Sequence, residues 1–303
     1  MKGSVVTIGN FDGLHAGHRR IMNQVVVIAR KNGWTPTVLT FHPHPTRLVA
    51  PARAPKLMTT PEQRSEMMLE EGIENVLILP FTREVAGLTP EEFVKTVLCE
   101  QLNARVVLVG ANFRFGKWQA GNVQTLAELG VRYGFTTEVL DEVSRRGGVV
   151  SSSGIRTLIE RGNVSAACRL LTTPYAIEGE IVTGLGIGAK QTVPTLNLNT
   201  TAELLPASGV YITRTSEAGR QWDSITNIGY RPTFNGDSLT IETYLLSAFD
   251  GVPPQRIKLE FLRRVREERK FESPDALKSQ IFKDVSRAQT YFRRLAAIRD
   301  KRA

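Results

Sequence analysis

The sequence has few of the residues that build disulfide frameworks or metal clusters. It contains two cysteines, Cys99 and Cys168, far apart in 303 residues, so it predicts no disulfide network and fits a reducing compartment. It has no run of about 18 apolar residues, and its first strand is not preceded by an apolar leader with a cleavage site. We therefore expect a cytoplasmic protein that is neither secreted nor inserted in a membrane.

Positive charge exceeds negative charge, with a formal net charge of +9. Such an excess calls for an anionic partner or substrate. Acidic residues interrupt the main basic run at 263–270, and aromatic residues do not alternate with basic ones as they do in single-strand binders. The sequence thus predicts a polyphosphate substrate and no nucleic-acid partner. It leaves open whether the chain forms a homo-oligomer.

Strand and helix patterns alternate over residues 1–173 and then give way to short alternating segments. The first pattern predicts a doubly wound, Rossmann-like parallel sheet. Its strand candidates are 5–9, 35–41, 75–80, 105–110 and 136–141. The second pattern, over 174–303, predicts a small antiparallel β-barrel followed by a helix that begins at Ser273-Pro274. We therefore expect an α/β protein of two domains, 1–173 and 174–303.

All four histidines lie in the first 44 positions, and two of them, His15 and His18, belong to the glycine-rich run 9–18. This run joins a strand to a helix, so its backbone N–H groups and the helix dipole can face an anion. Imidazoles can add donors to the same phosphates. The alternative is a strand–helix turn that merely contains histidines. The isolated cysteines argue against a metal site.

Three further loops follow strands at the same edge of the predicted sheet. The loop 41–45 holds two histidines, 110–117 offers aromatic rings, an amide and cations, and 151–156 opens a helix with serines and an arginine. A Walker motif is missing, which excludes a P-loop enzyme. Without an activated nucleophile, direct attack of one substrate on a nucleotide α-phosphate is favoured.

These motifs together resemble a known family. The run 9–18 resembles the His-x-Gly-His signature of nucleotidyltransferases, and Pro-Thr-x-Asn at 194–197 resembles the flavokinase Pro-Thr-Ala-Asn motif. With the runs 112–116 and 151–156, they resemble the bacterial bifunctional riboflavin kinase/FAD synthetase family over essentially the whole chain. The resemblance implies that ATP phosphorylates riboflavin to FMN and then adenylylates FMN to FAD, releasing pyrophosphate. Mg²⁺ is the implied metal, and FMN and FAD are substrate and product.

The resemblance also implies roles for individual residues. The catalytic residues are His15, His18, Arg156 and Glu242, the last as the base for the riboflavin 5′-hydroxyl. Alternatively, Glu242 is an outward-facing surface carboxylate. The nucleotide-binding residues are Gly9, Phe11, Gly17, Ser152, Ser153, Gly184, Gly186, Gly188 and Lys190. The flavin-binding residues are Asn112, Phe113, Phe115 and Arg266, and the Mg²⁺ ligands are Thr195 and Asn197, two positions apart on an extended segment.

Several positions depart from the family pattern. Ala189 stands where arginine is usual, Thr192 where glycine is usual and Leu196 where alanine is usual. Lys190 could replace the missing arginine only as a point charge. Ser153-Gly154 replaces Thr-Arg, and 171–174 replaces Leu-Gly-Arg-Pro. We expect both activities to persist. The alternatives are a specialised paralogue with one half-reaction or a changed substrate, and a flavin- or RNA-binding regulator without turnover.

Overall fold

The computed structural model describes residues 2–141, 143–145, 148–182, 195–233, 236–247 and 254–300. The chain divides into two units, Met1–Gly154 and Ile155–Ala303. The predicted domains meet at 173/174 instead, so the segment 155–173 groups in space with the second unit. The boundary between the two functional domains at 173/174 therefore stays a prediction.

A parallel sheet forms the centre of the first unit. Its strands are β1 (Ser4–Ile8), β2 (Thr35–His42), β3 (Asn75–Pro80), β4 (Ala104–Gly110) and β5 (Thr136–Leu140), in the order β3-β2-β1-β4-β5. Every predicted strand is found within one residue at each end. The chain winds outward in both directions from β1, so the carboxyl ends of β1 and β4 form the switch point where ligands bind in such sheets.

Helices cover both faces of this sheet. They are α1 (Ala16–Asn32), α2 (Pro45–Val49), α3 (Pro61–Glu70), α4 (Arg83–Gly87), α5 (Pro90–Phe93) and α6 (Val123–Tyr133). A π-helical stretch, Val94–Gln101, extends α5, and short 3₁₀ turns lie at Pro51–Arg53 and Lys117–Gln119. Thr60 and Thr89 close capping boxes at α3 and α5. Neighbouring β1 residues face opposite clusters, Val5 with α1 and Val6 with α6.

The second unit is a closed antiparallel barrel. Two short strands, β6 (Ser144–Arg145) and β7 (Gly148–Val149), and two helices, α7 (Ser152–Glu160) and α8 (Val164–Leu171), come before it in the chain. The barrel strands are β8 (Tyr175–Val182), β9 (Leu196–Asn199), β10 (Gly209–Glu217), β11 (Arg220–Thr233), β12 (Gly236–Leu245) and β13 (Arg256–Glu267), in the order β10-β11-β12-β9-β8-β13. Helix α9 (Pro274–Asp300) follows. The architecture confirms the predicted fold class.

The barrel interior contains a network of buried hydroxyl groups, and its outer face carries an apolar layer. Thr213, Ser224, Thr226 and Thr243 are fully buried, and hydroxyl–hydroxyl hydrogen bonds of 2.8–2.9 Å join them across the strands. On the outside, Ile225 packs with Phe292 of α9. An apolar stripe of α9 (Val285, Ala288, Phe292 and Leu295) therefore packs on the barrel. Among the helices in the described ranges, none is long and apolar enough to cross a membrane.

Candidate functional site

The loop between β1 and α1 has an unusual backbone. The φ angle is positive at Phe11 (49°), Gly13 (81°) and Leu14 (39°), a conformation that is costly for residues with a side chain. It persists because Phe11 and Leu14 are 3% and 0% exposed in the cluster that packs against α1. Burial of these two side chains fixes the loop at the carboxyl end of β1.

His15 and His18 stack at the start of α1. Their ring centroids are 3.6 Å apart and their planes differ by 19°. His15 caps the helix, because its Nδ1 accepts the backbone N–H of His18 at 3.4 Å. A neutral imidazole that accepts at Nδ1 carries its proton on Nε2. The His15 ring can therefore donate to a phosphate at the positive end of a 17-residue helix.

The predicted nucleotide-binding residues Gly9, Phe11 and Gly17 surround these rings. A Cβ atom at Gly17 would lie 3.2 Å from the His15 ring, and one at Gly9 would lie 3.0 Å from the Phe11 ring. Phe11 in turn packs edge-on against His18, with ring centroids 5.1 Å apart. The glycines thus make room for the aromatic rings. Their contact with a nucleotide stays a prediction.

The start of α7 reaches the same loop. The Ser152 hydroxyl donates to the Asp12 carbonyl at 3.1 Å, and the Ser151 hydroxyl accepts the backbone N–H of Gly154 at 3.2 Å. Ser153 is exposed, and Arg156 lies one turn further along α7 and is half-buried. The structure therefore brings Ser152 to the histidine loop, while the roles of Ser153 and Arg156 stay predictions.

A cavity of about 440 Å³ opens beside the loop that follows β4. It is lined by Ala111, Asn112, Phe113, Arg114, Asn122, Val123 and Gln124. Its size lies within the range of small-molecule sites, about 300–1,000 Å³. Two of the predicted flavin-binding residues, Asn112 and Phe113, line it.

Phe115, the third predicted flavin-binding residue of this loop, belongs to the core. It is 7% exposed and lies parallel to Phe113, with ring centroids 5.4 Å apart. Phe115 therefore stacks on Phe113 from the side of the core. Sequence reasoning missed Asn122, whose side chain caps α6 by accepting the backbone N–H of Thr125 at 2.9 Å. The pattern Asn-x-x-Thr before a helix was the signal that could have revealed it.

In the barrel, the strand register places Glu242 between two asparagines. Glu242 on β12 is paired with Asn227 on β11 and with Asn197 on β9. Paired residues on neighbouring strands share a face, with Cβ atoms about 4.5–5.5 Å apart. Because Ile241 and Thr243 are buried on the inner face, this row lies on the outside of the barrel. Glu242 is half-buried and faces outward there, as the alternative also has it, so its role as a base stays a prediction.

The predicted Mg²⁺ ligands lie at the end of this row. Thr195 immediately precedes β9, is exposed, and is two positions from Asn197. Hydroxyl, amide and carboxylate oxygens are the ligand types that Mg²⁺ prefers, so these residues fit the ion. In the described part of the chain, no group of three or more His, Cys, Asp or Glu side chains could hold a metal. Gly184, Gly186, Gly188 and Lys190 lie outside the described residues.

Arg266, the remaining predicted flavin-binding residue, is held by α9. Its Nε donates to Asp284 at 2.8 Å, and Asp284 also accepts from the Gln280 side chain at 2.8 Å. The centre of the Phe271 ring lies 5.5 Å from the guanidinium carbon of Arg266 and 5.0 Å from the guanidinium carbon of Arg269. Sequence reasoning missed Asp284 and Gln280. Both are buried and four residues apart, beside the apolar stripe of α9, which was the available signal.

Comparison with known proteins identifies the family. Residues 1–154 match the family model described as FAD synthetase, and residues 171–292 match the one described as riboflavin kinase. The bifunctional riboflavin kinase/FMN adenylyltransferase of Escherichia coli (strain K12) is 32% identical over 292 residues, covering 96% of this chain and 93% of that protein. The chain belongs to the bifunctional riboflavin kinase/FMN adenylyltransferase family. The Bacillus subtilis (strain 168) member is 33% identical over 298 residues, with coverage of 96% and 93%.

A solved structure agrees with this family fold. A crystal structure described as a macrolide-efflux protein from Streptococcus pneumoniae matches with a TM-score of 0.86 and 27% identity, covering 95% of this chain and 94% of that one. Membership in the riboflavin kinase/FMN adenylyltransferase family confirms the resemblance inferred from the motifs, and with it the enzyme class, a kinase and nucleotidyltransferase.

Proposed function

We propose that this protein phosphorylates riboflavin with ATP to give FMN, and then transfers an adenylyl group from ATP to FMN to give FAD and pyrophosphate. The observation that carries the proposal is that each family model falls on one unit, and each unit holds its own polar cluster. The first cluster surrounds His15 and His18, and the second is the row Asn227, Glu242 and Asn197.

In the adenylyl transfer, a phosphate oxygen of FMN attacks the α-phosphorus of ATP, and pyrophosphate leaves. His15 and His18 donate to the phosphates as negative charge builds. Ser152 and Ser153 present the N-terminus of α7 to the same anion, and Arg156 neutralises charge on the transferring group. The closeness of Ser152 to the histidine loop supports this assignment.

FMN occupies the 440 Å³ cavity beside β4. Asn112 hydrogen-bonds the edge of the flavin, and Phe113, backed by Phe115, contacts its ring face. The cavity follows β4 and the histidine loop follows β1, and these strands are neighbours. That neighbourhood supports a reaction between the two bound substrates.

In the kinase reaction, Glu242 takes the proton of the riboflavin 5′-hydroxyl, whose oxygen attacks the γ-phosphorus of ATP. ADP leaves. Thr195 and Asn197 hold Mg²⁺, which when bound neutralises charge on the phosphates. Arg266, fixed by Asp284, orients the flavin. The half-buried position of Glu242 next to Asn197 supports this arrangement.

A specialised paralogue that runs only the adenylyl transfer is the second candidate. The departures from the family pattern favour it, because Ala189, Thr192 and Leu196 all lie in or beside the predicted phosphate loop of the kinase half. Corresponding changes in the adenylyl-transfer half are fewer, chiefly Ser153-Gly154.

A product assay on the wild-type chain tests the proposal. Riboflavin with ATP and Mg²⁺ should give FMN and then FAD, resolved by chromatography, and FMN supplied directly should give FAD and pyrophosphate. FAD from FMN without FMN from riboflavin would establish the single-reaction paralogue. Flavin binding without either product would overturn the proposal in favour of a regulator.

A further inference from the structure

Arg64 is among the largest fully buried side chains in the described part of the chain. It is 1% exposed and lies on α3, outside every motif singled out above. Arginine is almost never fully buried unless it is paired, because moving its charge out of water is costly. Its position therefore needs a physical reason.

The guanidinium contacts the backbone of the histidine loop. Arg64 Nη1 donates to the carbonyl of Asn10 at 2.6 Å. The same carbonyl accepts from the Thr40 hydroxyl at 3.3 Å. Asn10 begins the loop after β1, and Thr40 lies near the end of β2. Arg64 thus lies at the carboxyl edge of the sheet, against the loop that carries His15 and His18.

A side chain of the histidine loop also contacts the segment that precedes α3. The Asp12 carboxylate, 1% exposed, accepts the backbone N–H groups of Met58 and Thr59 at 3.0 and 3.1 Å and the Thr59 hydroxyl at 3.0 Å. This segment leads directly into α3. Burial lowers the pKa of Arg64, while the nearby carboxylates of Asp12 and Glu62 oppose that shift. The loop and α3 are therefore tied together from both sides.

The guanidinium is not fully satisfied by these contacts. Its Nε and second terminal nitrogen, Nη2, are buried and have no hydrogen-bond partner in the described part of the chain. A buried unsatisfied donor is destabilising, and an apolar side chain of similar volume often stabilises such a position better. The need to fill a buried volume therefore does not explain why this residue is an arginine.

We propose that Arg64 is a positioning residue for adenylyl transfer. By holding the Asn10 carbonyl, it keeps the backbone from Phe11 to Leu14 in its positive-φ conformation, and with it the stacked histidines. It also places a positive charge behind the loop that receives the ATP phosphates. The inference rests on the proposed function of the histidine loop.

Two substitutions test it in the full-length chain. Arg64→Met keeps the apolar stem and removes the charge and the donors, whereas Arg64→Lys keeps the charge and one compact donor group. Arg64→Met should lower kcat/KM for ATP in FAD formation about 10- to 100-fold, since small displacements at a reacting centre have effects of this size. Arg64→Lys should lose less than Arg64→Met. FMN formation from riboflavin should stay within about twofold in both variants.

The control is Arg30→Met, which removes an exposed arginine near the end of α1 and should leave both reactions unchanged. All assays run well below each variant's unfolding midpoint. Unchanged FAD formation in folded Arg64→Met would overturn the inference, as would an equal loss of both reactions. If Arg64→Met does not fold, Arg64→Lys decides, and wild-type FAD formation in that variant overturns it. If the wild type itself makes no FAD, the proposed function fails instead.

Discussion

The two units assemble their polar clusters in different ways. In the first unit, the histidines, the glycines and Phe11 all belong to one continuous run, and the backbone between β1 and α1 brings them together. In the barrel, Asn197, Asn227 and Glu242 are far apart in sequence and meet only because β9, β12 and β11 are neighbours in register. The residues of the first cluster are contiguous in sequence, whereas those of the second meet through strand pairing.

This difference matters for how each cluster responds to change. The histidine loop is held by two buried side chains of its own, Phe11 and Leu14, and by the contacts with Arg64 and with the segment before α3. A row across three strands depends on the whole barrel and on α9, which packs on its outer layer. We therefore expect substitutions on neighbouring strands and on α9 to disturb the barrel cluster, and substitutions on α3 to disturb the histidine loop.

The largest effect is expected at Glu242. Glu242→Gln keeps the size of the side chain but removes the base, so FMN formation should fall about 10²- to 10⁴-fold, while FAD formation from supplied FMN continues. Separate rate measurements with riboflavin and with FMN check this. The matched control is Glu260→Gln, another half-buried carboxylate on the barrel. A parallel loss of both reactions in Glu242→Gln would show that the clusters are not independent.

His18→Ala should have the opposite selectivity. Removing one preorganised donor lowers kcat about 10²- to 10³-fold, so FAD formation should fall by that factor while riboflavin is still converted to FMN. Gln24→Ala, an exposed position on the same helix, serves as the control. FAD formation at the wild-type rate in His18→Ala would show that His18 has no role in adenylyl transfer.

Asp284→Asn should weaken the barrel without touching the first cluster. The Arg266–Asp284 pair is largely buried, with 17% and 3% of the side chains exposed, and leaving the arginine unpaired costs about 3 kcal/mol. Urea unfolding, followed by Trp222 in a background where Trp34 and Trp118 are phenylalanine, measures this loss. FAD formation from FMN should persist, and the control Glu272→Gln, at an exposed position before α9, should unfold like the wild type. Loss of FAD formation from FMN in Asp284→Asn would show that the two clusters are not independent.

Tyr211 gives the smallest effect, confined to high pH. Burial raises its pKa to about 12, whereas the unfolded chain releases this proton at about 10. Between these values the unfolded state holds fewer protons, so barrel stability should fall as pH rises from 10 towards 12. Tyr211→Phe should reduce this pH-dependent loss in the same fluorescence assay, leaving the part due to Tyr291, whose pKa burial also raises. The exposed Tyr230→Phe should leave it in place.

The sequence predicts the first cluster better than the second for the same physical reason. Alternating strands and helices, capping boxes and a contiguous motif are local signals, and the first-unit strands agree within one residue. In the barrel, β9 has only four residues, two of them asparagines, so its strand propensity is low and the local pattern does not mark it as a strand. The row around Glu242 follows from register, which no local pattern reveals. Arg64 and Asp284 were missed because burial of a charged side chain is decided by tertiary packing.

The central claim is that two separate sites catalyse two successive reactions through a released FMN. Mixing the His18→Ala and Glu242→Gln variants tests it most directly. Neither variant alone should produce FAD from riboflavin, ATP and Mg²⁺ at an appreciable rate. An equal mixture should produce it, because FMN made by His18→Ala is adenylylated by Glu242→Gln. No FAD from the mixture, with each variant still active in its remaining reaction, would contradict the account.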